Sequence, residues 1–449
     1  MIRRRTLDFL MTLRGTNPKK EYFEIKNLVN EEKLVKFQEE CLRNLLIHAY
    51  KNVPFYTRIF DEIGIVKNSN IVNPAKFSKI PIQTKDIIRN NQESLISNDY
   101  RQRRWYRNSS GGSTGEPLNF IRDISYNKWC NATGKYFQNM IGIDVNTSQK
   151  NILLWGSDQD IFGGRIDIKE YVQNFLTHTK LLNCFKMDEK NMEKYIKTIN
   201  LFKPGSILGY AGSLYELCQY AERKKYKLFT PKFVISAAET LRDDMRQKIE
   251  EVFGTKVFNF YGSREAAGLA GECRYGSMHI FNFNHLIEIL DENNQPVKKN
   301  EEGKIVVTTL HNYSMPFIRY EIGDMGVLGD KICECGSSLP ILKKITGRIV
   351  EHFIKENGER VPAEFFIHLF GVVCNRGNIK KFQVIQEEYK TIRILIVPVS
   401  DVREAECKDI EDKIKVVMGK DVKIIWEIVD DITKTKSGKY FYTKSLIKK

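Results

Sequence analysis

The residues able to do chemistry in this 449-residue chain fall into four short clusters. The first, Asn108 to Pro117, reads N-S-S-G-G-S-T-G-E-P and sets Gly111, Gly112 and Gly115 among Ser110, Ser113 and Thr114. Glycines admit positive φ and close backbone approach, so consecutive N–H groups can converge on an anion while the hydroxyls add donors. The lysine of the Gly-x4-Gly-Lys-Ser/Thr loop is missing, so this is not the phosphate loop of kinases and GTPases. A flexible surface turn has the same composition. The second cluster, Tyr261-Gly262-Ser263-Arg264-Glu265, follows an apolar stretch and offers a ring to stack on a base and a carboxylate to hold Mg²⁺ against phosphate. In the third, Arg319 to Asp324, Asp324 follows a glycine turn and could accept from ribose hydroxyls. A solvated turn would explain either of these alone.

The fourth cluster has metal-ligand chemistry. Cys273 and His279 stand six residues apart, and Cys333-Glu334-Cys335 supplies two further thiols 54 residues on. Three thiolates and an imidazole suit a closed tetrahedral structural Zn²⁺. Isolated core cysteines are the alternative, since a Cys-x-Cys pair is tighter than the usual gap.

The elements that must position these groups alternate. The first 105 residues read mostly as helix, with Leu34, Phe37, Cys41, Leu45 and His48 on one face of a segment that Val53-Pro54-Phe55 closes. From residue 106, short apolar strands (151–155, 206–208, 233–237, 256–260) alternate with amphipathic helices (188–200, 213–224, 242–253). That order predicts an α/β body with a largely parallel sheet, followed by a smaller sheet including 287–290 and 303–309. Beyond Gly347 a β-α-β pattern fills about a hundred residues, the size of a small domain. The expected division is 1–346, with the metal-binding region at 272–336, and 347–449.

Composition narrows the classes. With 42% hydrophobic and 28% charged residues the chain is globular rather than disordered. Neither a membrane-spanning run nor a signal peptide is evident, so the cytoplasm is the expected compartment. The formal charge of +15 suits anionic small molecules such as ATP or CoA. It gives no specific nucleic-acid signature and at most a peripheral membrane association. The nine cysteines are not spaced as a disulfide scaffold.

In their order along the chain these segments resemble the adenylate-forming superfamily of acyl-CoA synthetases. Within it they resemble the phenylacetate-CoA ligase family, above all its CapK-like, capsular-polysaccharide branch. The resemblance rests on Asn52-Val53-Pro54-Phe55-Tyr56, Ile80-Pro81 with Lys85, the 109–117 loop, Ala237-Ala238-Glu239, Tyr261 to Glu265, Gly323-Asp324, Gly347-Arg348 and Thr435-Lys436-Ser437-Gly438-Lys439. It implies a large adenylation domain with a small α+β C-terminal lid. It also implies an ATP-dependent, AMP-forming ligase that makes an acyl-adenylate and passes the acyl group to CoA or another thiol, amine or sugar acceptor.

By the same resemblance the loop residues Ser110 to Gly115 grip the ATP phosphates. Ala238 and Glu239 line the adenine side, Tyr261 stacks on the base within Tyr261-Gly262-Ser263, Glu265 binds Mg²⁺ and Asp324 the ribose. Arg348 sits at the domain junction. Lys439 is the lid lysine that bridges the attacking carboxylate and the α-phosphate. Several members hold structural zinc at the positions of Cys273, His279, Cys333 and Cys335. Carboxylate-pocket candidates are Trp155, Asp158, Asp160, Arg165, Tyr210 and Phe258.

Two departures are visible. Val350, beside Glu351, stands where the family has an acidic hinge residue, and Asn282-Phe283 stand where aryl-acid ligases carry an acidic pair. The second points away from a degradative phenylacetate enzyme and toward surface polysaccharide biosynthesis. Other readings are a nucleotidyltransferase passing AMP to a hydroxyl, or a catalytically silent binding protein of the same fold. A homodimer is the default assembly.

Overall fold

The computed structural model describes residues 2–28, 30–67, 71–110, 118–145, 149–156, 172, 174–329, 333–346, 353–361, 365–366, 369–370, 379–398, 404–432 and 443–447. The chain divides into two compact units, each assembled from separated segments.

One unit comprises residues 1–109, 118–147 and 258–348. The helix Glu31–Asn52 begins where the Asn30 side chain accepts from the Lys33 N–H. Val53 caps that helix, closing the segment as the sequence suggested, but the chain at once turns helical again. Proline is favourable at a first helical position, and Pro54 opens a second helix, Pro54–Ile63, that closes at Gly64. Leu45, Leu46, Tyr56 and Phe60 from these helices share a core with Ile305, Val307, Phe317 and Tyr320. The last four belong to or flank an antiparallel sheet ordered His285–Leu290, Glu302–Thr309, Tyr320–Leu328, Leu342–Thr346.

Buried polar groups bolt the helices to this sheet. Arg319, 2% exposed, donates to the Ile80 carbonyl at 2.7 Å and forms a two-pronged pair with Glu288 at 3.0 Å. Asp123 accepts from the Tyr313 and Ser314 N–H groups at 2.6 and 3.0 Å. The glycine-rich loop joins two paired strands, Trp105–Ser109 and Asn119–Asp123, with Ser109 opposite Asn119. This hairpin escaped the sequence reading because its strands alternate little in hydrophobicity. Helix Ile124–Ile141 follows directly.

The second unit comprises residues 110–117, 148–257 and 349–449. Its parallel strands Thr179–Asn183, Asn151–Trp155, Ser206–Tyr210 and Phe233–Ala237 lie side by side in that order. Helices Glu189–Phe202, Ala211–Arg223 and Asp243–Phe253 connect or follow them, close to the expected bounds. Toward the C-terminus, Ile379–Glu388 and Thr391–Pro398 pair antiparallel, and Lys423–Ile428 returns parallel after helix Glu404–Met418. The β-branched run Thr391–Pro398 lies between Ile379–Glu388 and Lys423–Ile428, with Ile392, Ile394 and Ile396 buried on one face. Phe365, Phe366 and Phe370 belong to the same core as Ile152, Phe185 and Leu214. Among the described residues no helix is long and apolar enough to cross a membrane.

Candidate active site

Tyr261 ends the strand Val257–Tyr261, and the chain then turns tightly. The Ser263 N–H donates to the Ala266 carbonyl at 2.9 Å, while the Ser263 hydroxyl accepts from the Ala266 N–H at 3.0 Å. Gly262 is required there: a Cβ would stand 2.6 Å from the Gly268 backbone nitrogen. The turn aims Glu265, 5% exposed, into the unit. Its Oε1 lies 3.4 Å from the Lys85 ammonium and accepts from the Tyr320 hydroxyl at 3.2 Å.

Lys85 arrives by backbone pairing. Gln83 bridges Tyr320 in parallel, donating to the Arg319 carbonyl at 2.8 Å and accepting from the Glu321 N–H at 2.9 Å. Thr84 then caps helix Lys85–Asn90 through the Ile87 N–H. The sequence alone does not mark Lys85 for this role, because lysine is abundant and its carboxylate partner lies 180 residues away.

Asp324 joins this cluster: the Tyr261 hydroxyl donates to its Oδ2 at 2.8 Å. Asp324 does not follow a turn, as expected from the sequence, but lies inside the nine-residue strand Tyr320–Leu328. Gly323 adopts φ +94°, between paired Glu321 and Met325, and locally breaks the regular pairing. A glycine absorbs that irregularity without strain and re-aims the following side chain. The structure thus brings Tyr261, Glu265 and Asp324 together and adds Lys85 and Tyr320.

In the other unit, Ala238 has φ +68°, a left-handed conformation rare for alanine, immediately after strand Phe233–Ala237. The bend carries Glu239 to the start of helix Ala211–Arg223, where its Oε2 accepts from the Gly212 N–H at 2.5 Å. A carboxylate is favoured at this end of a helix by the unsatisfied N–H groups and the macrodipole. Glu239 Oε1 and the hydroxyls of Ser213 and Ser236 are buried without partners among the described residues. Trp155 and Tyr210 meet edge to face at 4.4 Å. Phe258 is buried and Ser110 is 3% exposed. Gly111, Gly112, Ser113, Thr114, Gly115, Asp158, Asp160, Arg165, Arg348, Val350, Glu351 and Lys439 lie outside the described residues.

The four metal-ligand candidates do converge. One ligand atom from each of Cys273, His279, Cys333 and Cys335 lies within 4.8 Å of every other. Cys273 Sγ and Cys333 Sγ are 3.7 Å apart, far beyond a disulfide bond and near the ~3.8 Å edge of a tetrahedron built on ~2.3 Å Zn–S bonds. Cys335 Sγ is 3.2 Å from His279 Nε2, while Nδ1 of that ring faces the Leu339 carbonyl at 3.1 Å. A carbonyl facing Nδ1 fixes the tautomer that presents Nε2. Burial opposes ionisation of Cys333, but Ser277, the Cys335 N–H and His279 hold its thiol down at about 6. Burial pushes Cys335 up, and the charge of Cys333 adds to this. A bound divalent cation would keep both as thiolates, so the donor set fits zinc.

Known proteins are similar to this chain. Residues 353–446 match the family described as CapK C-terminal domain. Protein CapK of Staphylococcus aureus is 25% identical over 444 residues, covering 95% of this chain and 92% of that protein. The phenylacetate-coenzyme A ligase of Thermus thermophilus is 26% identical over 71% of each chain, and that of Aromatoleum evansii 24% identical over 88% of this chain and 90% of the relative. Among solved structures, 2-hydroxyisobutyryl-CoA ligase in the thioesterification state superposes with a TM-score of 0.60, 18% identity and coverage of 92% and 89%. Its open conformation gives 0.57, 17%, 92% and 91%.

The fold is that of the adenylate-forming CoA ligases. Within that class the chain resembles the phenylacetate-CoA ligase family and its CapK-like branch, as its residue clusters indicated.

Proposed function

We propose that this protein is an AMP-forming acid ligase, which activates a carboxylic acid with ATP as an acyl-adenylate and passes the acyl group to CoA or to an amine or sugar acceptor. The observation that supports it most is the cluster of Tyr261, Glu265, Lys85 and Asp324, in a chain related over nearly its whole length to CapK and to phenylacetate-CoA ligases. In this reading Tyr261 packs on adenine while its hydroxyl holds Asp324 ready to accept from ribose. Glu265 would hold Mg²⁺, which neutralises phosphate charge when bound, and Lys85, 3.4 Å away, holds that carboxylate in place. Ala238 and Glu239 line the base, and the 109–117 loop receives the phosphates. Arg348 works at a hinge. Lys439 neutralises charge where the acid attacks the α-phosphorus.

A carboxylate is its own nucleophile at neutral pH, so positioning and charge stabilisation carry the catalysis. Residues 347–449 act as the lid that reorients between half-reactions. The Cys/His set holds structural zinc, the setting is cytoplasmic, and surface polysaccharide assembly is the process served.

The test is ATP–pyrophosphate exchange against aryl, short-chain, amino and uronic acids, using the wild type and Lys439→Ala. Acid-dependent exchange that falls at least ~100-fold in the variant is the expected result, as for loss of a transition-state charge contact. Labelling of a hydroxyl compound with AMP, and no exchange with any acid, would replace the reading with nucleotidyl transfer.

A further inference from the structure

Arg122 is a buried cation without a counter-ion among the described residues. It lies on strand Asn119–Asp123 opposite Tyr106, five residues beyond the end of the glycine-rich loop, and is 6% exposed. Its guanidinium sits 4.6 Å over the Tyr126 ring, with Nη2 3.1 Å from Cys130 Sγ and Nη1 3.5 Å from the Arg264 carbonyl. Nε is buried and has no partner among the described residues. Among the described residues no carboxylate stands within ion-pair distance, and neighbouring Asp123 is already spent on Tyr313 and Ser314.

Cys130 does not supply the missing charge. Burial pushes its thiol above the ordinary value even with Arg122 beside it. A buried guanidinium left in this state is costly, because it has lost water and gained neither an anion nor a full set of acceptors. Its planar fork is suited to an oxyanion. The contact to the Arg264 carbonyl places that fork against the turn that carries Tyr261 and Glu265. A purely structural arginine would be expected to bond a carboxylate or a ring of carbonyls, as Arg319 does in the same unit with Glu288, Ser78 and Ile80.

We propose that Arg122 is an oxyanion-binding residue of the adenylation site, its fork completed by a phosphate oxygen of the nucleotide or by the carboxylate of the acid. This deepens the function proposed above and rests on it for the identity of the two oxyanion sources. It also makes the empty protein less stable than it need be, so that ligand binding and removal of the charge should both raise the unfolding temperature.

Thermal unfolding of the full-length wild type, Arg122→Met and Arg122→Lys decides it, with MgATP, AMP, inorganic pyrophosphate and each acid of the exchange panel added singly. Arg122→Met is expected to unfold at the same or higher temperature than the wild type without ligand, and to bind the oxyanion source at least tenfold more weakly. Arg122→Lys, which keeps charge but not the fork, should lie between and remains informative if the methionine variant fails to fold. Loss of the MgATP and pyrophosphate responses assigns the site to phosphate; loss of the acid response alone assigns it to the carboxylate. Variants that keep every wild-type ligand response overturn the proposal, whatever their stability. Exchange activity separates the two claims. Wild-type exchange that both variants retain sinks only the role of Arg122. Absent exchange, with a pyrophosphate response that needs Arg122, sinks the ligase reading and leaves the oxyanion site standing.

Discussion

At the scale of single residues, individual side-chain contacts at the candidate site can be tested one by one. The Tyr261 hydroxyl to Asp324 is one hydrogen bond of 2.8 Å. Tyr261→Phe should keep the ring and lose the bond, a cost of about 1 kcal/mol that would raise the KM for ATP roughly fivefold and leave kcat nearly unchanged. Glu265→Gln removes the charge facing Lys85 at 3.4 Å and should lower kcat of exchange at least ~100-fold, measured at saturating ATP. Tyr261, Glu265 and Asp324 were legible because aromatic, glycine and carboxylate fall in short motifs. Lys85 and Arg122 were not. The first depends on Gln83 pairing with Tyr320, the second on the orphaned state of a side chain in a strand, and neither is written in local spacing.

At the scale of elements, turns decide where these side chains point. Gly262→Ala would press a methyl group against the Gly268 amide, a backbone atom that cannot swing aside. The variant should lose most exchange activity while its circular dichroism stays native, because only the turn from 262 to 268 must move. The Cys/His set binds two such turns. Cys273 and Ser277 close one, and the Cys335 N–H donates to Cys333 Sγ in the other. Chelation of zinc, or Cys335→Ser, should lower the unfolding temperature by several degrees, and metal analysis should fall from about one zinc per chain toward zero. Strand and helix positions in the α/β part followed from periodicity. The hairpin at Trp105–Ser109 and Asn119–Asp123 did not, and neither did the helix from Pro54, because a proline that opens a helix looks in sequence like one that ends it.

At the scale of the whole molecule, buried histidines tie stability to pH. Burial holds His285 down at about 3, with its Nε2 2.8 Å from the Tyr126 hydroxyl, and His311 down at about 4 against the Trp129 ring. Both rings are neutral when folded and take up protons when unfolded near their ordinary 6.5. Their contribution is therefore complete above that value and is lost as pH falls toward 4 and 3. Between pH 7 and 5 each should cost about 2 kcal/mol. Unfolding temperature measured across that range should drop, and His311→Phe should flatten part of the slope.

One of the two units is sewn from three stretches of chain, 1–109, 118–147 and 258–348. Its amino-terminal helices rest on chain 260 residues downstream, through contacts such as the Tyr56 hydroxyl donating to the Pro316 carbonyl. On the ribosome, at about 5–20 residues per second, those helices wait many seconds with apolar faces uncovered while the intervening segment is made. Newborn chains should therefore lean on chaperones until residue 348 emerges, and a premature stop before it should leave aggregates rather than a folded fragment.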